Sequence, residues 1–91
     1  MNQDTILVVD DEKAILNMFT LAFSKKGYRV QTANSAEEAL EILKTEKINV
    51  MFLDLNLPGM NGIELCRAIK KEQPMAEIFE DLIGQARIPF R

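Results

Sequence analysis

Two apolar runs that each stop on carboxylates constrain this chain more than any other feature of it. Ile6-Leu-Val-Val9 ends at once in Asp10-Asp11-Glu12, and Val50-Met-Phe-Leu53 ends in Asp54, followed by Leu-Asn-Leu-Pro-Gly-Met-Asn-Gly62. Short apolar runs bounded by turn residues are the pattern of strands covered on both faces, as in a parallel sheet. A carboxylate is costly to bury without a partner, so both sets of acids belong where the strands stop and water or a cation reaches them.

The sequence between and after these runs supplies the covering helices. From Lys13, the residues Ile15, Leu16, Phe19, Ala22 and Phe23 recur at helical spacing, and Lys25-Lys26-Gly27 gives a basic last turn and a glycine stop. Tyr28 to Ala33 alternates as a strand exposed on one face and close to a sheet edge. Ser35 with Glu38 forms a capping box for a second helix whose apolar stripe is Ala36, Ala39, Leu40 and Leu43. After Gly62 a third helix carries Ile63, Leu65, Cys66 and Ile69. The order βαβαβα implies a doubly wound parallel sheet, with its working site at the carboxyl ends of the strands.

The remainder breaks this rhythm. After Pro74, the residues Met75, Ile78, Phe79, Leu82 and Ile83 fall at i, i+3, i+4, i+7 and i+8 before Gly84, which predicts an amphipathic C-terminal helix. A strand over Met75 to Phe79 is the alternative, and it sets Glu77 and Glu80-Asp81 in or beside a buried ladder. The tail from Gln85 to Arg91 carries no interpretable pattern beyond Pro89, which argues against a central strand.

At 91 residues the chain is one domain at most, small for a sheet that must be covered on two faces. Its composition, 47% hydrophobic and 27% charged, is that of a folded globular protein. A net charge of −3 with scattered Lys and Arg gives no footprint for nucleic acid or an anionic membrane. A single cysteine, with no signal peptide or long apolar span, points to a reducing cytoplasm. Cys66, on the apolar face of its helix, reads as core rather than reactive thiol. Histidine is absent, which removes imidazole acid/base chemistry and most zinc sites and leaves the carboxylates as the reactive groups.

If Asp10, Asp11 and Asp54 meet at one rim, their charges repel unless a cation intervenes. Mg²⁺ suits three acids and an irregular loop, since it takes carboxylate, carbonyl and water oxygens and completes its shell with phosphate. A carboxylate is also a nucleophile toward phosphorus when cations offset the charge of the transferring group. Asp54, alone at its strand end, is the better nucleophile; Asp10 and Asp11 are paired as metal ligands are. Capping of the first helix by Asp10 or Asp11 is the plain alternative, but a cap needs one acid and three are present.

The residues Ile6-Leu-Val-Val-Asp-Asp-Glu12 and Met51-Phe-Leu-Asp-Leu-Asn-Leu-Pro-Gly-Met-Asn-Gly-Ile-Glu-Leu65 resemble the receiver domain of two-component response regulators, a flavodoxin-like fold. The resemblance covers residues 4 to 73 and treats 74–91 as a divergent ending of the same domain. It implies that Asp54 accepts a phosphoryl group from a histidine kinase or phosphotransfer protein. It further implies that Asp10, Asp11 and Asp54 bind Mg²⁺ with the backbone carbonyl of Asn56. Such a chain is a signalling phosphoacceptor rather than an enzyme. A haloacid-dehalogenase-type phosphatase also uses a strand-end Asp, but wants a second Asp where Asn56 stands. A Rossmann nucleotide domain is disfavoured because no glycine-rich turn follows the first strand.

A complete receiver has five βα units, a Ser or Thr after the fourth strand and a Lys followed by Pro at the end of the fifth. Neither is identifiable here, so the resemblance implies a truncated receiver, impaired as a switch. The third strand then becomes an exposed edge, from which a homo-oligomer formed by edge pairing or by exchange of the C-terminal helix is expected. A non-catalytic, oligomerising or recombined fragment is the alternative function.

Overall fold

The computed structural model describes residues 4–54, 62–72, 79–80 and 85–89. Among them the elements run β1 (Thr5–Val9), α1 (Lys13–Lys25), β2 (Arg29–Ala33), α2 (Ala36–Thr45), β3 (Val50–Asp54), α3 (Gly62–Glu72), β4 (Phe79–Glu80) and β5 (Gln85–Pro89). The strands form one sheet in the order β2-β1-β3-β5-β4. β1 pairs in parallel with β2 and with β3, as the alternation of strand and helix predicts.

Alternate residues of the strands feed two cores. Leu7 and Val9 of β1, with Met51 and Leu53 of β3, pack against Ala36 and Ala39 of α2 and Leu65 and Ile69 of α3. Ile6 and Val8 face the other way, with Leu16 buried beside them and Phe19, Phe23, Val50 and Phe52 half-buried around. The second face is thus the α1 face, closed by three stacked rings: Phe19, Phe23 and Phe52, with centroids 5.2–5.9 Å apart. Ala22, expected on the apolar face of α1, is exposed.

Local signals set where the helices begin and end. The Ser35 hydroxyl accepts the Glu38 N–H at 3.1 Å, the cap predicted for α2. α1 ends in a Schellman motif: Gly27 N–H donates to the Ser24 carbonyl and Tyr28 N–H to the Phe23 carbonyl, with Gly27 at φ +90°. The motif's hydrophobic contact is Phe23 against Tyr28, edge to face at 6.2 Å, and it turns the chain straight into β2. At the other end of the sheet, Asn49 ties β1 to β3: its side-chain oxygen accepts the Thr5 N–H at 2.8 Å and its own N–H donates to the Thr5 carbonyl.

The ending departs from expectation in two respects. An amphipathic helix through Met75 to Ile83 is not formed, since Phe79 and Glu80 are strand residues paired with Arg87 and Ala86 of β5. The remaining residues of that stretch lie outside the described ones. Nor is β3 an open edge: β5 pairs with it antiparallel along its whole length, from Val50 opposite Pro89 to Asp54 opposite Gln85. The physical reason is common to both. An open β3 leaves a row of unpaired N–H and C=O groups beside an apolar core, and a backbone partner removes that cost where a helix does not. Edge pairing of β3 with another copy therefore loses its premise. Pro89 is accommodated because it is the last residue of β5, not because β5 is an edge.

Candidate metal and phosphoacceptor site

The acids converge because parallel strands end on the same side of a sheet. Asp10 is one residue beyond β1, and its N–H donates to the Ala33 carbonyl at 3.1 Å, so the end of β2 holds it in place. Its carboxylate turns back to accept the Glu12 N–H at 2.9 Å. Asp54 is the last residue of β3, the neighbour of β1, and Asp11 follows Asp10 into the loop. One carboxylate oxygen from each of Asp10, Asp11 and Asp54 lies within 4.8 Å of the other two. The three acids differ in setting: Asp10 is buried, Asp54 half-buried and Asp11 exposed.

Neither Asp10 nor Asp11 occupies the N-cap of α1, which is Glu12, and the Glu12 side chain makes no cap hydrogen bond. Glu12 is instead the residue that sequence reasoning undervalued, because its backbone N–H fixes the Asp10 carboxylate. Its position, directly after the paired acids and before the apolar-periodic stretch, was the available signal.

Burial pushes the Asp10 carboxyl above its ordinary value of 3.8; the Glu12 N–H opposes this, and the charges of Asp54, Asp11 and Glu12 add to it. A buried carboxylate crowded by like charges is a site that a cation would relieve. The donor set fits Mg²⁺: hard carboxylate oxygens, with no imidazole or thiolate among them. Octahedral Mg²⁺ at about 2.1 Å from each oxygen sets ligands about 3.0–4.2 Å apart. The three carboxylate oxygens, within 4.8 Å of one another, lie close to that spacing. Asn56, the expected carbonyl ligand, and the side chain of Cys66 lie outside the described residues.

A groove of about 350 Å³ opens beside the acids, lined by Asp11, Lys13, Asn17, Thr32, Asn34 and Glu38. On the other side of Asp54 the antiparallel register sets Gln85 opposite it. The tail gave no sign of this neighbour, because the pairing is a tertiary choice of β3 rather than a local pattern. No helix among the described residues is long and apolar enough to cross a membrane.

This arrangement has counterparts among known proteins. The transcriptional regulatory protein YvrH of Bacillus subtilis is 43% identical over 72 residues, covering 78% of this chain and 30% of the relative. The alkaline phosphatase synthesis transcriptional regulatory protein PhoP of the same organism is 41% identical over 73 residues, covering 80% and 30%. The chain thus spans about a third of the length of these relatives. Among solved structures, the response regulator TrrA of Thermotoga maritima, in complex with Mg(2+)-BeF, aligns at a TM-score of 0.75 with 33% identity, covering 79% of this chain and 63% of that one. A response regulator receiver protein from Pseudomonas putida aligns at 0.76 with 30% identity, covering 80% and 61%. The model of the response regulator receiver domain matches residues 6–79, a span holding all three acids and every element from α1 to α3. With the acid-ended parallel strands and this match together, the chain belongs to the receiver-domain family of two-component response regulators.

Proposed function

We propose that this receiver accepts a phosphoryl group on Asp54, with Mg²⁺ held by Asp10, Asp11 and Asp54, from a histidine kinase or phosphotransfer protein in the cytoplasm. The observation that carries the reading is the meeting of three carboxylates within 4.8 Å at the carboxyl edge of the parallel strands. In this reading Asp54 is the nucleophile: a carboxylate oxygen attacks phosphorus, an O–P bond forms, and the P–N bond to the donor imidazole breaks with its electron pair leaving on nitrogen. Asp10 and Asp11 act as ligands, and the Glu12 N–H and the Ala33 carbonyl hold Asp10 in position for that role. Bound Mg²⁺ supplies positive charge against the phosphoryl oxygens. The chain is then a phosphoacceptor in a signalling relay rather than an enzyme acting on free substrates.

Impairment as a switch belongs to the same proposal. The strand beside Asp54 runs antiparallel and contributes Gln85 to that register position, a neutral residue where charge compensation would call for a cation. The test is incubation with acetyl phosphate, with and without Mg²⁺, read by intact mass. A Mg²⁺-dependent phosphoryl adduct that is lost in Asp54→Asn is expected, forming more slowly than on a five-stranded parallel receiver. No adduct under conditions that label the complete receiver would overturn the reading.

A further inference from the structure

α1 carries more apolar surface than the sheet covers. Leu16 is buried and Phe19 and Phe23 stack on Phe52, which defines the side turned to the sheet. At about 100° per residue, Ala14, Met18, Leu21 and Ala22 fall on the outward side. All four are exposed, Met18 at 55% and Leu21 at 65%, and these two are the exposed large hydrophobic residues among the described ones. Their i, i+4, i+7, i+8 spacing is that of a helix-packing stripe. It is separate from the polar flank of α1, where Lys13 and Asn17 line the groove shared with Thr32.

The two ends of α1 carry opposite net charge: Asp11 and Glu12 outweigh Lys13 at its start, and Lys25 and Lys26 stand at its close. Among the described residues, Glu12, Lys25 and Lys26 make no side-chain ion pair. We propose that this stripe is a self-association surface, on which α1 of a second copy packs antiparallel about a two-fold axis. A second copy fits for two reasons. A two-fold axis between Met18 and Leu21 sets Met18 of each copy against Leu21 of the other, so one stripe supplies both halves of the contact. The antiparallel direction also brings each acidic start against a basic end, twice over, whereas a parallel pair sets like charges together. α1 has 13 residues, about 20 Å of helix. Such a contact falls in the small, transient class, below about 1,200 Å² in total, so the dimer forms only in concentrated solution.

Sedimentation equilibrium of the whole chain, from about 10 µM to about 1 mM to span the range of small transient contacts, tests the proposal. The weight-average mass is expected to rise from the 10.3 kDa monomer toward twice that value. Met18→Glu with Leu21→Glu, both exposed and therefore tolerated by the fold as checked by circular dichroism, should leave a monomer throughout. Glu12→Lys and Lys25→Glu each place like charges at both ends of the pair and should weaken association at least tenfold. An equimolar mixture of these two variants restores both attractions and should recover the dimer. A monomer at every concentration overturns the proposal. So does a dimer indifferent to the Met18/Leu21 variant, or failure of the mixture to recover association.

Discussion

Replacing Asp10 by Asn separates the cost of the acid cluster from its use. Asp10 is 5% exposed, and its carboxyl is held above 3.8 mainly by burial, with Asp54, Asp11 and Glu12 adding repulsion. A raised folded-state value means that the folded chain holds this proton more tightly than the unfolded chain does. Stability from this group is therefore greatest below pH 3.8 and falls as pH rises through the folded-state value, leaving the full penalty at neutral pH. Two unit charges 4.8 Å apart repel by about 0.9 kcal/mol in bulk water and about 3.5 kcal/mol at an effective dielectric of 20. With Asp54 half-buried and Asp11 exposed to solvent screening, relief of about 1–2 kcal/mol follows for the metal-free protein at pH 7. An asparagine keeps an oxygen to accept the Glu12 N–H, so the helix start is preserved. For a domain of this size the gain is about 5–10 °C in melting temperature. The assay is thermal unfolding by circular dichroism in EDTA at pH 7 and pH 3, then with Mg²⁺ at pH 7. The Asp10→Asn variant should melt higher than wild type in EDTA at pH 7, the difference should shrink at pH 3, and the order should reverse with Mg²⁺. At a Mg²⁺ concentration one hundred times its Kd, wild type gains about 2.7 kcal/mol that the variant lacks, more than the variant's lead of about 1–2 kcal/mol. A variant that melts lower in EDTA, or that Mg²⁺ stabilises as much as wild type, refutes the reasoning.

Substitutions at three further positions probe the frame that carries the acids. Ser35→Ala removes the acceptor for the Glu38 N–H and should cost about 1 kcal/mol by urea unfolding, with an unchanged slope. Gly27→Ala meets no atom within 4 Å, so its cost, about 1 kcal/mol, is that of a side chain at φ +90° alone. Gly27→Ser should cost as much as Gly27→Ala in the same urea titration, and a smaller loss for the serine variant would point to a new cap instead. Met51→Ala, at a fully buried position of a central strand, should cost about 2–5 kcal/mol. Such a loss is comparable to the whole stability of so small a domain, and little folded protein by circular dichroism at 37 °C is the expected readout.

How far the chain can be read without coordinates follows from which interactions set each element. The continuous apolar runs of Ile6–Val9 and Val50–Leu53 and the 3.6-residue pattern of Lys13–Phe23 record burial against both faces of a parallel sheet, and burial is written residue by residue. Ser35 and Gly27 are local chemistry, legible because a cap and a positive φ each demand a particular side chain. Convergence of Asp10 with Asp54 then follows from topology, since adjacent parallel strands end side by side. The hairpin is different. Met75, Ile78, Phe79, Leu82 and Ile83 satisfy a helical period, yet Phe79 and Glu80 pair with β5. The decisive quantity was the hydrogen-bonding demand of β3's free side, which belongs to another part of the chain and leaves no mark on the local sequence.

The same reasoning separates what the two parts of the molecule do. Asp10 is placed by groups before residue 55, the Ala33 carbonyl and the Glu12 N–H, whereas Asp54 follows the last β1–β3 register pair, Val9 with Leu53, and also lies opposite Gln85 of β5. Among the described residues, the hairpin contributes no carboxylate to the cluster. Its structural contribution is to occupy the side of β3 that would otherwise template aggregation, through five register pairs from Val50 to Asp54. Conditions that open β5 should therefore expose β3 and favour association while leaving the β1–β3 ladder and the contacts of Asp10 in place. Self-association through α1 differs in kind, because it leaves the sheet intact and buries side chains that the folded chain already presents to solvent. Strand-mediated association should grow with mild denaturant that frees β5, whereas α1 pairing should weaken with it and with salt.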